Sequence, residues 1–310
     1  MLFRSTLHYG LVPRTNRGIF AINELPDLSE RIQVGLLNVL EERDVQVRGY
    51  KIRLPLDIML VASANPDDYT NRGRIITPLK DRFGSQIRTH YPLETSTEVA
   101  IIRQESRSPS VGGVAVRVPD YLEDVIATFS QLARTSPNIS QRSGVSVRLS
   151  VSNYEVLCAN ALRRGLRSGE RDVVPRVSDL EALPASTLGK VEIEALEEGR
   201  EGAIVEQLLR TAVHNVFRER LPFDQVREVL AAFEEGVVAH TGEDVASAEE
   251  ARLLETVPAL RGPVRTLTGG DESPAAVAAA IEFVLEGLHL TKRLNKDASG
   301  ARATYRSRSL

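Results

Sequence analysis

Cysteine, lysine and aromatic side chains are scarce in this chain of 310 residues. Its one cysteine, Cys158, excludes an internal disulfide and suits a reducing compartment. No apolar run approaches the roughly 18 residues that a membrane span needs. The opening residues, MLFRSTLHYG, lack the apolar core of a signal peptide. These absences predict a soluble, cytoplasmic protein. Only five of the 39 basic residues are lysine (Lys51, Lys80, Lys190, Lys292 and Lys296), so a mechanism that needs lysine has five candidates. An excess of one charge is missing too: 39 basic against 42 acidic residues give a formal −3, which argues against a globally basic nucleic-acid binder. The five histidines are scattered, with no His-x3-His and no cysteine pair to hold a metal. Cys158, inside the apolar stretch Tyr154–Leu162, reads as a packing residue.

Local charge separates regions that the total hides. Residues 1–90 carry +3, residues 191–260 carry −10, and the last twenty carry +5. The acidic stretch reads as a solvated helical surface, and the basic end as a flexible tail. Ile19–Asn23 and Ile58–Ser63 are short apolar runs, the pattern of strands buried on both faces. Between them, Asp27-Leu-Ser-Glu30 opens a helix with an apolar face. Alternation around Gly49-Tyr50 then predicts a hairpin. Two such strands joined through a helix predict a parallel, three-layer α/β core. Beyond Pro92 the pattern turns helical: 95–105, 120–135, about 146–167 and 176–183. Further amphipathic helices follow, ending with 274–290, and residues 106–113 read as a loop.

Both apolar strands end in polar groups. Asn23 and Glu24 close the first, and Ser63-Ala-Asn65-Pro66 closes the second. The carboxyl edge of a parallel sheet is where ligands bind in open α/β folds. A carboxylate there can polarise a water for attack on phosphorus, and an amide can orient that water. Leu79-Lys80-Asp81-Arg82-Phe83-Gly84 adds a charged cluster between apolar anchors.

In this order the segments resemble AAA+ ATPases, within them the branch of the magnesium chelatase I subunit and the MoxR proteins. The resemblance implies a partial three-layer αβα P-loop NTPase core over 1–92, an all-helical lid over 93–190, a helical extension over 191–292 and a basic flexible tail over 293–310. Glu24 matches the Walker B catalytic glutamate, residues 42–55 the hairpin before sensor 1, and Asn65 sensor 1 itself. Arg82 matches the arginine finger, which in this family reaches a neighbouring subunit's nucleotide. Gly144-Val-Ser146-Val-Arg148 is similar to the sensor 2 motif, so Arg148 is expected to contact the γ-phosphate. The implied cofactors are ATP and Mg2+. The implied partners are a homo-oligomeric ring, expected to be a hexamer, and a protein with a von Willebrand A-type domain; neither membrane nor nucleic acid is implied.

Two departures stand against this pattern. Asn23 occupies the Walker B position usually held by Asp, where an amide can still accept a bond from a magnesium-bound water but brings no charge. No Gly-x4-Gly-Lys-[Ser/Thr] loop occurs: Gly189-Lys190 is followed by Val191, and Pro184 stands where the first glycine belongs. Without that loop the chain is expected to be inactive alone, and the sequence to begin inside the AAA+ module. Two other readings stay open: a non-catalytic assembly subunit that lends Arg82 to an active neighbour, and a DNA-associated AAA+ protein that uses the basic tail.

Overall fold

The computed structural model describes residues 8–46, 53–65, 74–140, 143–194 and 199–308. The chain divides into two units, Met1–His90 and Tyr91–Leu310. The turn expected at Gly49-Tyr50 lies outside the described residues.

The first unit runs α1 (Leu11–Arg14), β1 (Ile19–Ile22), α2 (Glu30–Glu41), β2 (Asp44–Gln46), β3 (Arg53–Pro55), β4 (Met59–Ala62) and α3 (Thr77–Asp81). β1 and β4 pair in parallel, with Ile19 opposite Met59 and Ile22 opposite Ala62. Parallel neighbours need a crossover, and α2 with the antiparallel β2–β3 hairpin provides it. α2 follows Ser29, which caps through its backbone position rather than its side chain. Glu30 in its first turn complements the positive end of the helix. Leu36 of α2, Leu79 of α3 and Leu25 form a small core, against which Ile22 and Leu60 pack.

That core lies on one face of the sheet. Strand residues alternate, and the opposite face exposes Ile19, Met59 and Val61, at 65%, 63% and 45%. The expectation of strands buried on both faces is therefore corrected: among the described residues, helices cover the β1–β4 pair on one face only. Continuous apolar runs hide this, because run and alternation look alike when both strand faces are apolar.

The second unit opens with α4 (Thr95–Glu105), β5 (Ser110–Val111), β6 (Val114–Val116), α5 (Asp120–Thr135), α6 (Val147–Ser168) and β7 (Asp172–Val173). A 3₁₀ stretch at Val177–Ala182 leads into α7 (Leu183–Thr187), α8 (Glu201–Arg220), α9 (Phe223–Glu234) and β8 (Val238–Gly242). Then come α10 (Ser247–Ala251), α11 (Leu253–Thr256), α12 (Arg261–Thr268), α13 (Pro274–Leu290), β9 (Leu294–Ser299) and β10 (Arg302–Ser307). Side chains from α4, α5, α6, α8, α9 and α13 share one hydrophobic core, so the expected lid and extension are not separately packed.

α13 is the hub, with every residue from Ala275 to Leu288 buried. The sequence predicts an amphipathic helix there; the structure buries it on every side. Tyr121 of α5 packs on Phe283, ring centroids 4.5 Å apart. Gly287 lets the Phe217 ring of α8 lie against the helix backbone, where an added Cβ would sit 2.0 Å from Cδ2. Gly287→Ala should therefore cost about 1–3 kcal/mol through overpacking. Its signature is a lower denaturant midpoint at unchanged slope.

The basic end is also ordered, contrary to the flexible tail expected. β9 and β10 form an antiparallel hairpin, and β10 also pairs with β8. Tyr305 anchors it at 2% exposure. Three of its cations are held internally: Lys296 by Glu286 (2.8 Å), Arg306 by Asp297 (2.7 Å) and Arg308 by the Lys292 carbonyl (3.0 Å). No helix among the described residues is long and apolar enough to cross a membrane.

Candidate functional site

The parallel register decides what meets at the sheet edge. Ile22 pairs with Ala62, so the next residues along, Asn23 and Ser63, face each other. Ser63 N–H donates to the Ile22 carbonyl and Leu25 N–H to the Ser63 carbonyl, both at 2.9 Å. The Ser63 hydroxyl then donates to Asn23 Oδ1 at 2.5 Å and accepts the Glu24 N–H at 3.1 Å. One hydroxyl thus fixes both residues that close β1.

Glu24 itself adopts a left-handed backbone, φ 51° and ψ 58°. For a non-glycine residue that costs on the order of 1 kcal/mol. The bend sends Leu25 and Pro26 into the core while Glu24 stays exposed. Its carboxylate has no hydrogen-bond or ion-pair partner among the described residues. Asn65 lies at the same edge, exposed, two residues beyond Ser63.

Arg82 goes elsewhere. It ends α3, where Nε donates to Glu41 Oε2 at 2.7 Å and Nη1 to the Pro78 carbonyl at 2.8 Å. Glu41 closes α2, a helix of 12 residues and hence about 18 Å long. α2 begins just after the turn that follows Glu24, so Arg82 is held at its far end. Within one copy, Arg82 and Glu24 are not brought together.

A buried amide sets the path to Arg82. Gln33, 1% exposed, donates to the Leu28 and Arg74 carbonyls at 2.8 and 3.1 Å and accepts the Ile76 N–H at 2.9 Å. Gln33→Ala would strand these groups and should cost about 1–3 kcal/mol. Faster hydrogen exchange at the Ile76 amide, together with a lower melting temperature, would register the loss.

Arg148 belongs to the second unit. It is exposed at the second position of α6, with Ser146 as cap accepting its N–H at 3.2 Å. The first turn of α6 has no acidic residue, so a cation sits at the helix's positive end. That placement lowers helix stability slightly and raises attraction for an anion. The turn before it is braced. Gly144 has φ +68°, and an added Cβ would meet the Tyr91 hydroxyl at 2.5 Å. Val145 donates its N–H to that hydroxyl at 3.2 Å, and Arg134 Nε donates to the Val145 carbonyl at 3.1 Å. Arg134 lies over the Tyr91 ring at 4.7 Å and grips fully buried Glu98 with bonds of 2.6 and 2.7 Å.

Ser63, Gln33, Tyr91, Glu98 and Arg134 escape a reading by motif. Two leave a trace in sequence: Gln33 and Glu98 interrupt apolar helix faces, three residues before Leu36 and four before Ile102. A polar group in such a stripe requires a partner, though the stripe does not say which.

Other chemistries find no support. Burial pushes the Cys158 thiol up to about 11, which keeps it protonated and inert as a nucleophile. No group of three or more metal-ligating side chains forms among the described residues. For magnesium and ATP the strand ends fit in part. Glu24, whose carboxylate has no partner among the described residues, stands with the amides of Asn23 and Asn65 at that edge, but Asn23 Oδ1 already accepts from Ser63, and no lysine-bearing phosphate loop occurs in the 310 residues.

Residues 4–79 match the family model of the sigma-54 interaction domain, an AAA+ ATPase domain. The match spans both strand ends and falls within the first unit. It carries ATPase-type activity and nucleotide binding as properties of that kind of domain. No curated protein matches the chain.

Proposed function

We propose that this chain is a ring-forming AAA+ subunit of the magnesium-chelatase type, working in the cytoplasm. Its assembly, hexameric in this reading, hydrolyses Mg-ATP to remodel a partner protein with a von Willebrand A-type domain. The observation that carries the reading is the Asn23–Ser63–Glu24 junction, which leaves the Glu24 carboxylate with no partner among the described residues at the edge of a parallel sheet, inside the stretch matched by an AAA+ domain family. Glu24 takes the proton of the attacking water, and Asn65 orients that water. Arg148 meets anionic charge from its place at the start of α6. Arg82 serves the neighbouring subunit, which suits a guanidinium held a helix length away from its own Glu24. Bound nucleotide supplies the activated phosphoryl group, although no Gly-x4-Gly-Lys loop to cradle its phosphates occurs among the 310 residues.

The absence of that loop from the 310 residues, and Asn23 at the Walker B position, favour a second reading. In it the chain assembles with active subunits and lends them Arg82 without hydrolysing ATP itself. Co-assembly with a P-loop-bearing magnesium-chelatase-type subunit tests both. ATP turnover that rises on mixing and falls with Glu24→Gln in this chain supports the first. Turnover insensitive to Glu24→Gln but lost with Arg82→Ala supports the second. A chain that neither co-assembles nor changes turnover sinks both.

A further inference from the structure

A shallow groove of about 390 Å³ runs along the outer face of α6 in the second unit. Pro109, Ala159, Leu162 and Leu166 line it, and Arg163 and Arg167 flank it. Leu166 is 49% exposed, a large apolar side chain left facing water. Arg167 has no hydrogen-bond or ion-pair partner among the described residues. Arg163 reaches only Asn160, at 2.7 Å, and Glu243, at 3.8 Å. Glu155, one turn before Ala159, already accepts the Arg107 N–H at 3.1 Å. The groove is therefore apolar in its middle and positive along its sides.

The same chain carries a counterpart. α9 buries Val226, Val229 and Phe233, so helical spacing turns Asp224, Glu228, Ala231 and Glu235 outward. All four are exposed, and none of the three acids has a partner among the described residues. Phe223, which opens α9, is 52% exposed.

We infer that the α6 groove receives α9 of a second copy of this chain, with the two helices antiparallel. Charge and spacing match. Arg163 and Arg167 stand four residues apart, as do Asp224 and Glu228, which is one turn and about 6 Å along each axis. Antiparallel placement sets Arg167 against Asp224 and Arg163 against Glu228. It also brings Leu166 to the Phe223 end of α9 and Ala159 towards Ala231, where small side chains let the helices approach. Arg167 lies in the last turn of α6 and Asp224 in the first turn of α9, so the helix ends complement each other as well. A second copy is favoured over a foreign acidic helix because this chain itself supplies acids, small residue and apolar end in matching register.

The contact joins unlike surfaces, so each pairing leaves one groove and one α9 free for further copies. Two helices bury less than a standard interface, and association should be weak and sensitive to salt. The contact involves neither nucleotide nor Arg82, so its test stands apart from that of the proposed function. Sedimentation velocity of the full chain without nucleotide should give a weight-average coefficient that rises with protein concentration and falls back in high salt. Arg167→Glu and Asp224→Arg, both at exposed positions, should each weaken self-association at least tenfold while melting stays native. An equimolar mixture of the two variants should associate again, since each brings the intact surface that the other lacks. A chain that is monomeric at every concentration, association unmoved by either charge reversal, or a mixture no better than its components overturns the inference.

Discussion

In rings assembled with a P-loop-bearing subunit, Arg82→Ala should lower ATP hydrolysis about 10³-fold, the usual cost of losing an arginine that stabilises phosphoryl transfer. The fold should survive. Arg82 is partly exposed, and its pair with Glu41, 55% exposed, is the kind of surface contact worth at most about 1 kcal/mol. The same weakness lets a neighbour's phosphate draw the guanidinium away from Glu41. Glu41→Gln should accordingly leave turnover intact, since it removes a competitor for Arg82 rather than a catalytic group. Steady-state turnover measured with thermal melts of each variant checks this. A loss below tenfold with native melting would mean that Arg82 serves only its ion pair with Glu41.

Arg176→Met should be the most damaging change to stability, at about 3–5 kcal/mol. Arg176 is completely buried beside Val177–Ala182. Its Nη1 lies 2.7 Å from Glu250 Oε2 and 3.7 Å from Glu282 Oε1, and Nη2 lies 2.7 Å from the Ser247 hydroxyl. Nearby Arg164 pairs with Asp179 at 3.1 Å and Glu170 at 3.5 Å. Two guanidiniums thus face four carboxyl groups, of Asp179, Glu170, Glu250 and Glu282, and removing one guanidinium strands buried negative charge.

The excess also sets a pH dependence. Burial and the Glu282 carboxylate raise Glu250 well above the ordinary range, outrunning the attraction of Arg176. The folded chain therefore keeps a proton that the unfolded chain releases near pH 4.5. For such a group, stability is greatest below the unfolded value and falls as pH rises towards the folded one. Glu250→Gln removes the proton linkage, so it should flatten the fall of stability above pH 5 and gain about 1 kcal/mol at pH 8. It should also recover part of the Arg176→Met loss, because the two sites touch. Denaturation across pH 5–8 reads both effects. A steeper decline in Glu250→Gln would mean that Glu250 is ionised when folded.

What the sequence determined by itself was local. Strands at 19–22 and 59–62, helices at 95–105 and 120–135, and the polar ends Asn23, Glu24 and Asn65 follow from runs, periodicity and spacing among near neighbours. Tertiary structure decided the rest. The hairpin 294–307 escaped because its strands interleave lysine, arginine and alanine, and only pairing with β8 and contact of Tyr305 with Glu286 order it. The surroundings of α13 escaped because Glu282 and Glu286 look like a solvated face. They are buried only because Ser178, 104 positions away from Glu282, and Tyr305 satisfy them. The separation of Arg82 from Glu24 likewise depends on which end of α2 its carboxylate partner occupies. In each case a polar group's fate rests on a partner distant in the chain, and desolvation decides it only once the chain has folded.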